Sequence, residues 1–276
     1  MCAASSQGTP EWAKGSARAR ARIRAVSSTS KEMAENLTHA LERIERAASR
    51  AGRRPGDITL IGVSKTHSAA QIRELYEAGV RHFGENRVQE WESKYASLAD
   101  LDATWHFIGH LQSNKAARAL QLFHTIDSVD SIALADRLER AKKGFTTEGT
   151  ESTEKSGSWG EAARLRVLLE VRLDPTATKS GVSDAESLRL VEAVHRLPHL
   201  ELLGLMGVPP YFEDAEKVRP YFRQLRELRD ALRVQLGGDI LPVLSMGMSH
   251  DFEIAIEEGA TEIRVGTALF GERRED

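Results

Sequence analysis

The stretch ITLIGVSKTHSAAQIRELYEAGVRHFGE, residues 58–85, decides the fold. Its opening, ITLIGVSK, is a continuous β-branched apolar run, the pattern of a strand covered on both faces in a parallel sheet. SAAQIRELYEAG then carries Ile72, Leu75 and Tyr76 at helical spacing and stops at Gly79. RHFGE, residues 81–85, starts the next strand. The same alternation runs to the C-terminus, with strands expected over 58–65, 81–85, 104–108, 125–129, 166–173, 201–206, 241–245 and 262–265. Further helices are expected over 88–98, 115–122, 132–143, 184–196, 215–236 and 251–258. Eight strands alternating with helices in 276 residues point to a single (β/α)8 TIM barrel of α/β class. A doubly wound sheet stays open as the alternative, because periodicity does not show closure. Residues 34–51 add an extra N-terminal helix, with Leu37, Leu41, Ile44 and Ala47 on one face and Gly52 as its stop.

Composition narrows the function classes. With 41% hydrophobic and 29% charged residues, the chain has the make-up of an ordinary globular protein. A net charge of −3 and the lack of an apolar run of spanning length argue against a nucleic-acid binder and an integral membrane protein. The one cysteine, Cys2, excludes an intrachain disulfide and any site built on several thiols, and a cytoplasmic location is expected. Residues 1–31 are rich in Ala, Ser and Arg, with arginines at 18, 20, 22 and 24, and read as a disordered tail. The Ser, Thr, Gly and Glu run at 144–160 reads as a flexible insertion, leaving 34–273 as the barrel.

Chemistry in such barrels sits at the C-terminal mouths of the strands. Lys65 ends the first strand, where loss of water around an ammonium would free the amine to attack a carbonyl; taken alone, it reads more simply as a lysine reaching solvent at a strand end. Two turns that follow the seventh and eighth strands, SMGMS (245–249) and RVGTALFG (264–271), carry small and hydroxyl residues. Barrel phosphate sites are often built there. Ser249 and Thr267 offer hydroxyls, while Gly247 and Gly266 admit a close backbone approach. An amine at strand one with two anion turns at strands seven and eight points to a phosphorylated aldehyde, pyridoxal 5′-phosphate (PLP).

GVSKTHSAAQI, FGENRVQE, WHFIGHLQSNK, HTIDSVDS, KSGV, LLGLMGV and LSMGMSHDFEIAIEEGATEIRVGTALFG together resemble, in order and spacing, the YggS/PROSC family of pyridoxal phosphate homeostasis proteins. The resemblance covers about residues 34–273. That family is similar to the N-terminal barrel of alanine racemases, which implies a fold-type III PLP site with Lys65 forming the Schiff base. The resemblance also implies that Ser249, Gly266 and Thr267 hold the phosphate, Arg264 approaches the pyridine nitrogen, and Asn86 lines the pocket.

A permanently charged donor such as Arg264 leaves a ring nitrogen unprotonated, which weakens the ring as an electron sink. Racemases of the similar fold take a second base from an additional C-terminal domain, and this chain ends after its barrel. A carrier or buffer of PLP, handing it to apo-enzymes or amino acids, is therefore expected ahead of a PLP-dependent amino-acid racemase. A cofactor-free Schiff-base aldolase and a nucleic-acid role for the arginine-rich tail are further alternatives. A monomer is expected. His106 and His110 have the i,i+4 spacing of a helical metal pair but fall on a strand and its turn, so no metal site is expected there. Lys179, Ser180 and Tyr211 receive no single role.

Overall fold

The computed structural model describes residues 28–148, 164–174, 181–238 and 240–271. Eight parallel strands close into a barrel in sequence order: β1 (Thr59–Val63), β2 (His82–Glu85), β3 (Thr104–Phe107), β4 (Thr125–Val129), β5 (Leu165–Val171), β6 (Leu200–Gly207), β7 (Val243–Met248) and β8 (Glu262–Val265). Closure is made by β1 on β8, with Thr59 opposite Glu262 and Gly62 opposite Val265. The doubly wound alternative is thereby set aside. Around the sheet lie α1 (Ser28–Arg50), α2 (Ala69–Ala78), α3 (Val88–Tyr95), α4 (Ala116–Leu122), α5 (Ile132–Glu148), α6 (Asp184–His195), α7 (Arg219–Leu236), α8 (Phe252–Glu257) and the single turn α9 (Thr267–Phe270).

Several boundaries differ from the sequence expectation, each for a local reason. The expected helix over 215–236 divides into a 3-10 turn, Ala215–Val218, and α7, which takes Pro220 in its first turn. A proline is tolerated there because a first-turn N–H has no intrahelical partner to lose. β7 starts at Val243 rather than 241, since Leu241 has φ +53° and Pro242 has no N–H for the ladder. α5 continues through Gly144 to Glu148, so the expected insertion begins later than 144; its remainder, 149–160, lies outside the described residues. α1 begins at Ser28, before the expected 34, while residues 1–27 also lie outside them.

The hydrophobic core lies between the sheet and its helices. Alternate strand residues such as Ile263 and Val265 of β8, or Trp105 and Phe107 of β3, belong to this continuous apolar layer. The intervening residues face the barrel interior, which is unusually polar. There Ile61, Val63, Leu168 and Met206 are buried apart from the main layer. Arg264, His106, Asp127, Thr125 and Ser245 are buried polar side chains on the same interior parity. α1 lies outside the closure, burying Met33, Leu37, Ala40, Ile44 and Ala47. Arg43 pairs with Glu253 at 3.1 Å and stacks its guanidinium 4.3 Å over the Phe252 ring, and Arg50 pairs with Glu257 at 2.7 Å. Asn36 Nδ2 donates to Leu269 O. The extra helix thus braces the two short helices that follow β7 and β8.

Candidate functional site at the barrel mouth

Lys65 is two residues beyond Val63, on the parity of the inward Ile61 and Val63, and is half-buried. Its loop turns sharply: Thr66 has φ +68°, a conformation that a non-glycine residue adopts only when its surroundings impose it. The Thr66 N–H donates to Glu90 Oε1 at 2.5 Å, and the His67 N–H to Ser64 O. The His67 ring stacks on Phe270 of α9, with centroids 4.0 Å apart. A buried network supports this turn from behind. Lys94 Nζ donates to Glu85 Oε1, Glu90 Oε1 and Ser64 O, and Ser64 Oγ donates to Glu85 Oε1 at 2.8 Å. Burial raises the Glu85 carboxyl above its ordinary pKa, against the pull of Lys94 and Ser64.

The two glycine turns meet. Ser249 Oγ accepts from Gly266 N at 3.1 Å and Ala268 N at 3.3 Å, tying the β7 turn to the start of α9. The hydroxyl proton remains as its donor. Gly247 has φ +92°, and a Cβ there would meet the Ala255 methyl at 2.5 Å, so only glycine fits. Gly266 lies against Val63 of β1, which brings this turn beside the strand that leads to Lys65. Thr267 is exposed.

Arg264 rises from β8 into the interior and is only 4% exposed. It donates to Ser245 Oγ at 2.8 Å and to Gly207 O at 2.9 Å, both neutral acceptors. Among the described residues no carboxylate pairs with it within 4.0 Å. Burial lowers its pKa, opposed by the more distant Asp127, Glu262, Asp251 and Glu170. Asn86 follows β2 on the inward parity, packed by its backbone against Gly109. Its Oδ1 is buried without a hydrogen-bond partner. A buried guanidinium bonded only to neutral groups and an orphaned buried amide oxygen are polar surface prepared for a polar ligand. The Lys65 amine, the Ser249 hydroxyl, the Arg264 donors and the Asn86 acceptor are groups of the kinds a phosphorylated aromatic aldehyde would use.

Other residues singled out in the sequence are dispersed. His110 is exposed beside Asp130, whereas His106 is buried in the barrel, so these two histidines do not converge. Tyr211 is 80% exposed, its ring 5.7 Å from that of His250. Lys179 and Ser180 lie outside the described residues. The supporting roles of Glu90 and Lys94 went unread, as did the interior cluster of His82, His106, Asp127 and Glu262. The signal for the cluster was present: TEIRV and TIDSV place charges at alternate positions of strands that should be apolar on both faces.

The sequence model described as "Alanine racemase, N-terminal domain" matches residues 35–274. The "Pyridoxal phosphate homeostasis protein" of Aquifex aeolicus is 47% identical over 240 residues, covering 87% of this chain and 98% of its relative. The protein of the same description from Escherichia coli K12 is 37% identical over 247 residues, covering 88% and 97%. Among solved structures, PipY of Synechococcus elongatus, described as having PLP bound, is 41% identical with a TM-score of 0.68, covering 83% of this chain and all (100%) of PipY. An alanine racemase of Clostridium difficile, 16% identical with a TM-score of 0.60, shares the fold over 88% of this chain and 58% of its own.

Proposed function

The chain belongs to the pyridoxal phosphate homeostasis protein family, and from that premise we propose that it binds PLP covalently through Lys65 and serves as a carrier or buffer of the cofactor rather than as an amino-acid racemase. PLP supplies an aldehyde that condenses reversibly with primary amines. The strongest support is Ser249 Oγ, joined to Gly266 N and Ala268 N beside the strand that leads to Lys65. On this reading Ser249, Gly266 and Thr267 hold the phosphate. The Glu90 contact to Thr66 N holds the loop so that the Lys65 amine faces the mouth. Asn86 Oδ1 lines the ring side.

Arg264 would face the pyridine nitrogen of the bound cofactor. A guanidinium donates a hydrogen bond to a ring nitrogen but is too weak an acid to pass its proton on, so that nitrogen would stay unprotonated, whereas a carboxylate there would stabilise the protonated ring. Its bonds to Ser245 and Gly207 fix that orientation. Residues so arranged keep the aldehyde attached and shielded while doing little to stabilise a carbanion. Release to a competing amine, from an amino acid or from the lysine of an apo-enzyme, follows from the reversibility of the linkage. We place this activity in the cytoplasm, in a monomer without nucleic-acid or membrane partners. No helix among the described residues is long and apolar enough to cross a membrane.

The test is a spectrum together with an activity measurement. Wild-type protein mixed with PLP should gain a visible band that Lys65→Ala lacks, and should turn over free amino acids no faster than PLP alone. An unchanged band in Lys65→Ala contradicts the attachment. Rapid interconversion of amino-acid enantiomers contradicts the carrier reading and returns the racemase.

A further inference from the structure

All strands of the barrel run towards the mouth, so Glu262, the first residue of β8, stands one interior layer below Arg264. Across the interior, β3 contributes His106 and β4 contributes Asp127, which are 3% and 1% exposed. One potential ligand atom from each of the three lies within 4.8 Å of the others. His106 Nδ1 is hydrogen-bonded to Asp127 Oδ2 at 3.0 Å and lies 2.9 Å from Thr125 Oγ1, contacts that an ion held between the imidazole and the carboxylate would replace. Asp127 Oδ1 and Glu262 Oε2 are buried without a hydrogen-bond partner. Two orphaned buried carboxylate oxygens beside an imidazole are an arrangement that a bound cation would satisfy.

The surroundings of His106 fit a ligand role. Its second nitrogen, Nε2, is 3.0 Å from His82 Nδ1. With Nε2–H donated to His82 Nδ1, the Nδ1 edge of the ring faces Asp127 and Thr125. A second ring N–H donated to an acceptor is the usual way a metal-binding histidine is fixed in tautomer and orientation.

We propose that His106 Nδ1, Asp127 and Glu262 form a binding site for one Zn²⁺ ion inside the barrel, below the PLP mouth and independent of it. One imidazole and two carboxylates suit Zn²⁺, while Mg²⁺ and Ca²⁺ favour oxygen ligands throughout. The ion would tie β8 to β3 and β4 across the barrel, joining strands that share no ladder.

Zinc chloride titrated calorimetrically into the chelator-treated full chain, with no PLP added, should report one Zn²⁺ per chain. His106→Gln and Asp127→Asn should each weaken binding by at least about tenfold. His110→Gln, which alters an exposed histidine at the mouth, should leave it unchanged. Absence of Zn²⁺ binding to the wild type overturns the proposal, as does undiminished affinity in both interior variants or loss in His110→Gln. Should the interior variants fail to fold, anomalous scattering at the zinc edge from wild-type crystals decides. A peak among His106, Asp127 and Glu262 supports the site, and a peak only elsewhere overturns it. Since Lys65 takes no part, failure here leaves the carrier reading intact, and failure of that reading leaves this one.

Discussion

Gly247 shows how single residues set the mouth. Its φ of +92° and the 2.5 Å approach of a hypothetical Cβ to Ala255 mean that Gly247→Ala should cost roughly 2–4 kcal/mol in chemical denaturation, from left-handed backbone strain plus overpacking. An unchanged midpoint would show that the turn relaxes freely. Ser249 acts at the same scale through its oxygen, which satisfies Gly266 N and Ala268 N. Ser249→Ala should weaken PLP affinity in a fluorescence titration by about five- to thirtyfold, for the loss of one hydrogen bond and of the order it imposes on the turn. Equal affinity would remove Ser249 from the phosphate site.

At the scale of elements, the link between α7 and α8 rests on Glu258, the residue after α8. It is 4% exposed and accepts from Arg219 at 3.2 Å, Arg223 at 3.1 Å and Arg226 at 2.8 Å. Glu258→Ala takes this carboxylate from Arg223 and Arg226, while Arg219 keeps Glu216 and Glu257, and should lower stability by about 1–3 kcal/mol. A smaller loss would mean that water replaces the carboxylate without cost. Where β3 meets β4, His124 Nδ1 accepts from Trp105 N at 2.9 Å. Burial, then the charges of His106 and Arg166, lower the His124 pKa to about 4. Its folded value lies below the ordinary histidine value of about 6.5, so the unfolded chain binds the proton more readily and stability falls as pH drops from about 6.5 towards 4. His124→Asn, which retains an acceptor, should flatten that acid limb of the melting profile. An identical limb would place the effect elsewhere.

For the molecule as a whole, the eight strands were legible because parallel strands covered on both faces leave unbroken β-branched runs. Closure was not, since the β1 to β8 pairing joins opposite ends of the chain and no local pattern encodes it. The two glycine turns were readable from glycine and hydroxyl spacing, whereas the support behind Lys65 was not. Glu90 and Lys94 look like an ordinary i,i+4 surface pair on α3 until the barrel brings Glu85 and Thr66 against them. The interior charges carried a signal in their alternation, but only a closed barrel turns alternate positions into one shared cavity. The account stands on one covalent bond. Borohydride reduction of the wild-type protein with PLP, followed by peptide mapping in a mass spectrometer, should place a single phosphopyridoxyl group on Lys65. A label on Lys94, Lys115 or another lysine instead, or no label at all, would contradict it.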